Sequence, residues 1–155
     1  AYAGTKALEQ YGYHDLADSL SENLLHHMLR TYSDYEPHTL WEAYSPTEPR
    51  PCTTKNNRDD VDPDFCGWSA LGPISLFIEN ILGFHGIDAF SMEIHWRRKQ
   101  RGRHGIQNLH FGGCLTDIIA EAPDSVRVTS TLPYTLVING KRWSIQKGTQ
   151  ILTVT

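Results

Sequence analysis

The hydrophobic periodicity of the chain changes near Gly86, and this change restricts the possible folds more than any other feature. Before Gly86, apolar residues recur at the spacing of amphipathic helices. After it, apolar and polar residues alternate, as in half-buried strands. The 155-residue chain is therefore predicted to be α plus β, with a helical region at 1–86 and a small antiparallel β domain at 87–155.

The helical region begins with two predicted helices, Ala3–Gln10 and about His14–Tyr32. The second carries an apolar stripe that predicts its buried face. That stripe consists of Leu16, Leu20, Leu24, Met28 and Tyr32, widened by Ala17, Leu25 and Leu29 beside it.

A third segment, "FCGWSALGPISLFIENILGF" from Phe65 to Phe84, is apolar on nearly every side. A helix of this kind is predicted to be buried among other helices. About three helices cannot surround it, so the sequence is interpreted as part of a longer protein. The opening "AYAGTKALEQ", which lacks an initiator methionine, supports the same interpretation.

The β half is predicted to contain about five to seven strands. Its clearest signal is the alternation of Tyr134, Leu136 and Ile138, followed by Asn139 and Gly140. Asn-Gly is the strongest short hairpin turn, and it predicts an antiparallel return strand.

Composition restricts the possible partners. A net charge of −4 and a pI near 6.0 give no electrostatic basis for nucleic-acid binding. Apolar runs are too short to predict a membrane span, and the chain does not open with a signal-peptide pattern. Three cysteines, Cys52, Cys66 and Cys114, do not predict a disulfide framework or a zinc ribbon, and the compartment stays open between bacterial cytoplasm, periplasm and secretion.

No metal or cofactor is predicted. Asp60, Asp62 and Asp64 resemble the start of a calcium loop, but Phe65 stands where that loop needs glycine and Leu71 where it needs glutamate. The sequence also lacks a phosphate-binding glycine loop.

The strongest functional signal is "TLWEAYSPTEPRPC", residues 39–52, within an irregular stretch from about Ser33 to Asp64. Glu42 stands between Trp41 and Tyr44, and "FCGWS" adds another aromatic residue. Sugar rings pack on aromatic faces, and glycoside hydrolysis needs carboxylates. Taken alone, the stretch is also compatible with a packed connector.

Together, "TLWEAYSP" and "DFCGWSALGPISLFIENILGF" resemble the C-terminal part of an (α/α)6-barrel glycosidase, most closely glycoside hydrolase family 63 and its mannosylglycerate-hydrolase-like relatives. The resemblance implies a fold made of the last helices of an incomplete (α/α)6 barrel followed by a small antiparallel β-sandwich unit. It extends over essentially the whole chain.

The resemblance also implies an inverting hydrolysis of α-glucosides or α-mannosides, with Glu42 as the general base. Trp41, Tyr44, Trp68 and Ser69 would bind an oligosaccharide or small glycoside. The general acid would come from the rest of the barrel, upstream of Ala1, so the chain alone is expected to be inactive.

Three alternatives remain at this stage. One is a trehalase-like or rhamnosidase-like (α/α)6 glycosidase. The others are a non-catalytic carbohydrate-binding module, in which the β half binds the sugar and Glu42 is incidental, and a structural fragment without its own activity.

Overall fold

A computed structural model describes residues 1–53, 60–63, 67–99 and 102–154 of the chain. The chain forms two compact units, Ala1–Ile81 and Leu82–Thr155, here called unit 1 and unit 2. No helix among the described residues is long and apolar enough to cross a membrane.

Unit 1 is helical, and its first two helices confirm the predicted ones. Its elements are α1 (Tyr2–Gln10), α2 (His14–Asp34), a 3-10 turn (Gly67–Ala70), α3 (Leu71–Leu76) and a π-type turn (Phe77–Ile81). The third helical segment ends earlier than predicted, because Phe84 belongs to a strand.

The buried face of α2 agrees with the predicted stripe only at Ala17 and Met28. Leu16, Leu20 and Tyr32 are 56%, 40% and 46% exposed. The buried positions are mostly small or polar, and two of them carry hydroxyl groups that donate to the carbonyl one turn earlier, which satisfies these groups within the helix. The hydroxyl bonds measure 2.7 Å and 3.0 Å. The buried residues are Ala17, Ser21, Met28 and Thr31.

Asn80 connects the π-type turn to both long helices. Its side chain is 5% exposed, and its amide nitrogen donates to Glu9 on α1 at 2.7 Å and to Asp18 on α2 at 3.1 Å. Hydrogen bonds to charged acceptors are stronger than neutral ones, so this buried amide fixes the arrangement of the three segments.

The predicted fold class is wrong. The described residues contain three α-helices and eight strands, without the helices of an (α/α)6 barrel. The apolar third segment is not enclosed by helices either: Leu71, Ile74 and Phe77 are 62%, 57% and 48% exposed. The same finding removes the fold that the family 63 resemblance implied and on which the trehalase-like and rhamnosidase-like alternatives also depended.

Unit 2 is a small β-sandwich-like domain with eight strands, more than the five to seven predicted. Its two four-stranded sheets have the orders β1-β2-β6-β7 and β3-β4-β5-β8. The strands are β1 (Phe84–Asp88), β2 (Glu93–Trp96), β3 (His104–Phe111), β4 (Cys114–Ala122), β5 (Ser125–Ser130), β6 (Tyr134–Ile138), β7 (Lys141–Ile145) and β8 (Gly148–Thr153).

One sheet of unit 2 is mixed, which corrects the prediction of a purely antiparallel domain. Strands β2 and β6 run parallel, with Trp96 opposite Ile138. The predicted hairpin between β6 and β7 is confirmed, and Asn139 and Gly140 have positive φ angles of 50° and 84°. These angles are typical of the type I′ turn that Asn-Gly favours.

The inner faces of the two sheets form the core of unit 2. In β5, Val126 and Val128 are fully buried while their neighbours are partly exposed, as the period of two predicts. Tyr134 of β6 contacts the ring edge of Phe111 at 5.3 Å between centroids, and its hydroxyl lies 3.1 Å from the Thr116 hydroxyl. These contacts join the mixed sheet to the antiparallel one.

Gly83, before β1, is expected to be intolerant of a side chain. Its φ is +88°, and a Cβ there would lie 2.1 Å from the Arg97 carbonyl oxygen. Gly83→Ala should therefore lower the free energy of unfolding of unit 2 by about 3 kcal/mol, through backbone strain plus the clash.

Gly140→Ala is the matched control, because its φ is +84° and nothing lies within 4 Å of its added Cβ. It should cost about 1 kcal/mol, from strain alone. Urea unfolding followed by strand amide signals measures both variants. Equal losses would show that the Arg97 carbonyl does not restrict this position.

Candidate functional site

The segment that carries Glu42 is held in a compact turn after α2. Tyr44 and Pro51 form an isolated β-bridge. The Ser45 amide donates to the Arg50 carbonyl at 3.0 Å, and the Cys52 amide donates to the Ala43 carbonyl at 3.0 Å. These backbone bonds fix the direction of the chain on either side of Tyr44.

A serine from the 3-10 turn connects to this segment. The Ser69 hydroxyl donates to the main-chain carbonyl of Glu42, a residue 27 positions earlier in the chain. Ser69 therefore does not bond to the Glu42 carboxylate. Glu42 itself is only partly buried. Ser69 therefore positions the backbone of Glu42.

Tyr44 is held by the main chain of Trp41. The Trp41 amide donates to the Tyr44 hydroxyl oxygen at 3.0 Å. Burial raises the pKa of the Tyr44 phenol, and the Trp41 hydrogen bond opposes that rise in part. The phenol is therefore neutral at neutral pH. Because its oxygen accepts from Trp41, its own proton stays available for a ligand.

Trp41 lies beneath the segment. Its side chain is 4% exposed, and the indole nitrogen makes no hydrogen bond within the described residues. Its clearest contribution to the site is the amide that holds Tyr44. The backbone of Trp68 lies in the 3-10 turn, but the predicted sugar contact of its side chain lies outside the described part of the structure, as do Phe65 and Cys66.

Glu42, Tyr44 and Ser69 line one cleft of about 600 Å³ in unit 1. Its volume lies within the range of about 300–1,000 Å³ that is typical of small-molecule sites. Three of the five predicted site residues are thus brought together. Apolar and aromatic side chains complete much of the wall: Tyr2, Leu24 and Met28.

The sequence did not identify these three residues as part of a binding site. Leu24 and Met28 were assigned to the helix core by their spacing, and no local signal distinguishes a core position from a cleft wall. Tyr2 donates from its hydroxyl to the Glu79 carboxylate at 3.0 Å, a partner 77 positions away. A contact between residues so far apart in the chain depends on how the helices pack, and no local sequence pattern indicates it.

The cleft combines a largely apolar wall with a few polar groups. Glu42 is the carboxylate among the described residues that line it, with the Tyr44 and Ser69 hydroxyls on the same wall.

Among the described residues, no cluster of three or more His, Cys, Asp or Glu side chains could hold a metal ion. Described cysteines Cys52 and Cys114 are both free thiols.

No family model, curated protein or solved structure matches the chain.

Proposed function

We propose that the cleft of unit 1 binds an α-glucoside or α-mannoside, and that Glu42 is the general base in an inverting hydrolysis. The observation that carries this proposal is that Glu42, Tyr44 and Ser69 line a single cleft. They come from two segments that the aromatic and acidic sequence pattern singled out.

The walls of the cleft suit a sugar. Leu24 and the exposed Leu71 offer apolar surface to the C–H face of a pyranose ring. The Tyr44 hydroxyl can donate a hydrogen bond to a sugar hydroxyl group, and the Ser69 hydroxyl oxygen can accept one. A half-buried carboxylate beside these groups can accept a proton from water.

The proposed reaction divides into two proton transfers. Glu42 takes a proton from water as the water oxygen bonds to the anomeric carbon, on the face opposite the departing group. A general acid would protonate the leaving oxygen, and the described lining of the cleft offers no second carboxylate for this step. The chain is therefore assigned the base and the sugar contacts, without the acid.

Sugar binding can be tested directly by following amide signals while methyl α-glucoside or methyl α-mannoside is added. We expect saturable shifts at Glu42, Tyr44 and Ser69. Tyr44→Ala should weaken binding about tenfold, the loss expected for about 1.4 kcal/mol. Tyr11→Ala, which removes a tyrosine side chain that is 80% exposed, should leave the affinity unchanged. If the sugar binds saturably but the amide signals of the cleft residues do not shift, the proposed site would be contradicted.

A second candidate is carbohydrate binding without catalysis. The lack of a second carboxylate in the described cleft lining favours it. Turnover of a substrate whose leaving group needs no protonation separates the two functions: the hydrolase hydrolyses such a substrate, and the binding module only holds it.

A further inference from the structure

A second cleft of unit 1, of about 540 Å³, lies between α2 and the segment after Tyr44. Helix α2 presents Leu24 and Met28 to the first cleft and a different set of side chains to this one. Its lining is predominantly polar, and the residues that matter here are Asn23, His26, His27, Arg30, Thr47 and Pro49.

The second cleft groups several hydrogen-bond donors around one positive charge. Arg30 supplies a guanidinium group, His26 and His27 supply imidazoles, and Asn23 supplies a carboxamide. No carboxylate stands among its described lining residues. Because the chain as a whole carries a charge of −4, this wall departs from the general electrostatic character of the protein.

The donors of this wall are not used within the described structure. Arg30 is exposed and forms no ion pair with a described residue, and Asn23 and His26 are likewise exposed without a described hydrogen-bond partner. Arg30 and His26 stand one turn apart on α2, so their side chains lie on the same side of the helix. An exposed guanidinium group whose N–H groups are unpaired can donate two parallel hydrogen bonds to an oxyanion.

The two clefts share a wall. Tyr44 lines the first and His27 lines the second, and their rings are in edge contact, with centroids 6.3 Å apart and planes at 77°. The second cleft is therefore adjacent to the first, while its lining excludes Glu42.

From this arrangement we propose that the second cleft binds a small oxyanion of the phosphate type, with Arg30 as the principal charge partner and His26 and Asn23 as additional donors. Thr47 closes the opposite side with a hydroxyl. This site does not depend on the proposed hydrolase function, because it uses a different face of α2.

The test is a titration of the whole chain with inorganic phosphate at constant ionic strength, followed by amide signals. We expect saturable shifts at Asn23, His26, His27 and Arg30, with a Kd of about 1 mM. Arg30→Gln should weaken phosphate binding at least about tenfold, as expected for the loss of a charge-assisted contact. Sulfate, which is also a tetrahedral oxyanion, should compete with phosphate for this site.

Two matched controls decide the result. Arg127→Gln removes the same charge from an arginine of unit 2 that is paired with Glu121 at 2.7 Å, and it should leave the affinity unchanged. Glu42→Gln should also leave it unchanged, which separates this site from the first cleft. Equal weakening of phosphate binding by Arg30→Gln and Arg127→Gln would overturn the proposal. So would the absence of saturable shifts at about 20 mM phosphate, which is 20-fold the expected Kd of about 1 mM.

Discussion

Glu42→Gln should lower the rate of fluoride release from α-glucosyl or α-mannosyl fluoride by about 10²–10⁴-fold, the contribution typical of a positioned general base. Fluoride departs as an anion and needs no proton, so this substrate does not depend on a general acid. Glutamine keeps the size of Glu42 and removes its ability to accept a proton from water. Methyl glycosides, whose leaving oxygen must be protonated, should stay intact.

Glu48→Gln is the matched control for this prediction. Glu48 lies in the same turn and pairs with Arg50 at 2.8 Å, and its change alters the charge of the chain equally. Its fluoride release should equal that of the unaltered chain. A fluoride-selective electrode measures both rates. A Glu42→Gln variant that retains the full rate would remove Glu42 as the base, even with sugar binding intact.

Trp96→Ala should destabilise unit 2 by about 3–5 kcal/mol, the range for truncating a buried large aromatic side chain. Trp96 is fully buried in β2, and its ring stacks on Phe84 at 4.7 Å between centroids and an interplanar angle of 11°. Its indole nitrogen donates to the Leu82 carbonyl at 2.7 Å. The variant loses the packing and leaves that carbonyl without its donor.

Trp143→Ala provides the comparison. Trp143 is only partly buried, lies on β7 at the edge of the same sheet, and packs beneath the Lys141 ammonium group at 4.9 Å. Its loss should cost about 1 kcal/mol, because an exposed cation–π contact and partial burial contribute little. Urea unfolding, followed by amide signals of β4 and β5, measures both. If Trp96→Ala lowers the free energy of unfolding no more than Trp143→Ala does, the assigned core would be contradicted.

The β half shows what local pattern can predict. Alternation and the Asn139-Gly140 turn predicted β6, the hairpin and β7, because these features act between neighbouring residues. The parallel pairing of β2 with β6 joins residues about forty positions apart and has no local signal. Strand β1 was missed because Phe84 continues an apolar run that resembles a helix, and only the positive φ of Gly83 separates the two elements.

The helical half shows where periodicity fails. The positions of α1 and α2 were correct, since spacing identifies a helix regardless of what it packs against. Which face is buried depends on the neighbour: α2 buries Ala17 and Met28 of the predicted face together with Ser21 and Thr31, while Leu16 and Leu20 are exposed. Short motifs that resemble those of a barrel enzyme likewise did not determine the fold, because the arrangement of helices depends on long-range packing.

The candidate site was partly predictable. A carboxylate among aromatic residues in an irregular segment pointed to Glu42 and Tyr44, and the family resemblance implied Ser69 as a possible polar contact; all three line the cleft. The hydrogen bond from Ser69 to the Glu42 carbonyl, which brings the two segments together, could not be predicted. The apolar wall from α2 could not be distinguished from a helix core.

The most direct test of the central claim is proton NMR of the first sugar released from α-glucosyl or α-mannosyl fluoride. If Glu42 activates a water on the face opposite the leaving fluoride, the β-anomer should appear first, and mutarotation should then produce a mixture of both anomers. First appearance of the α-anomer would contradict the proposed inverting base. Release no faster than in buffer, with sugar still bound in the cleft, would assign the chain to carbohydrate binding without catalysis.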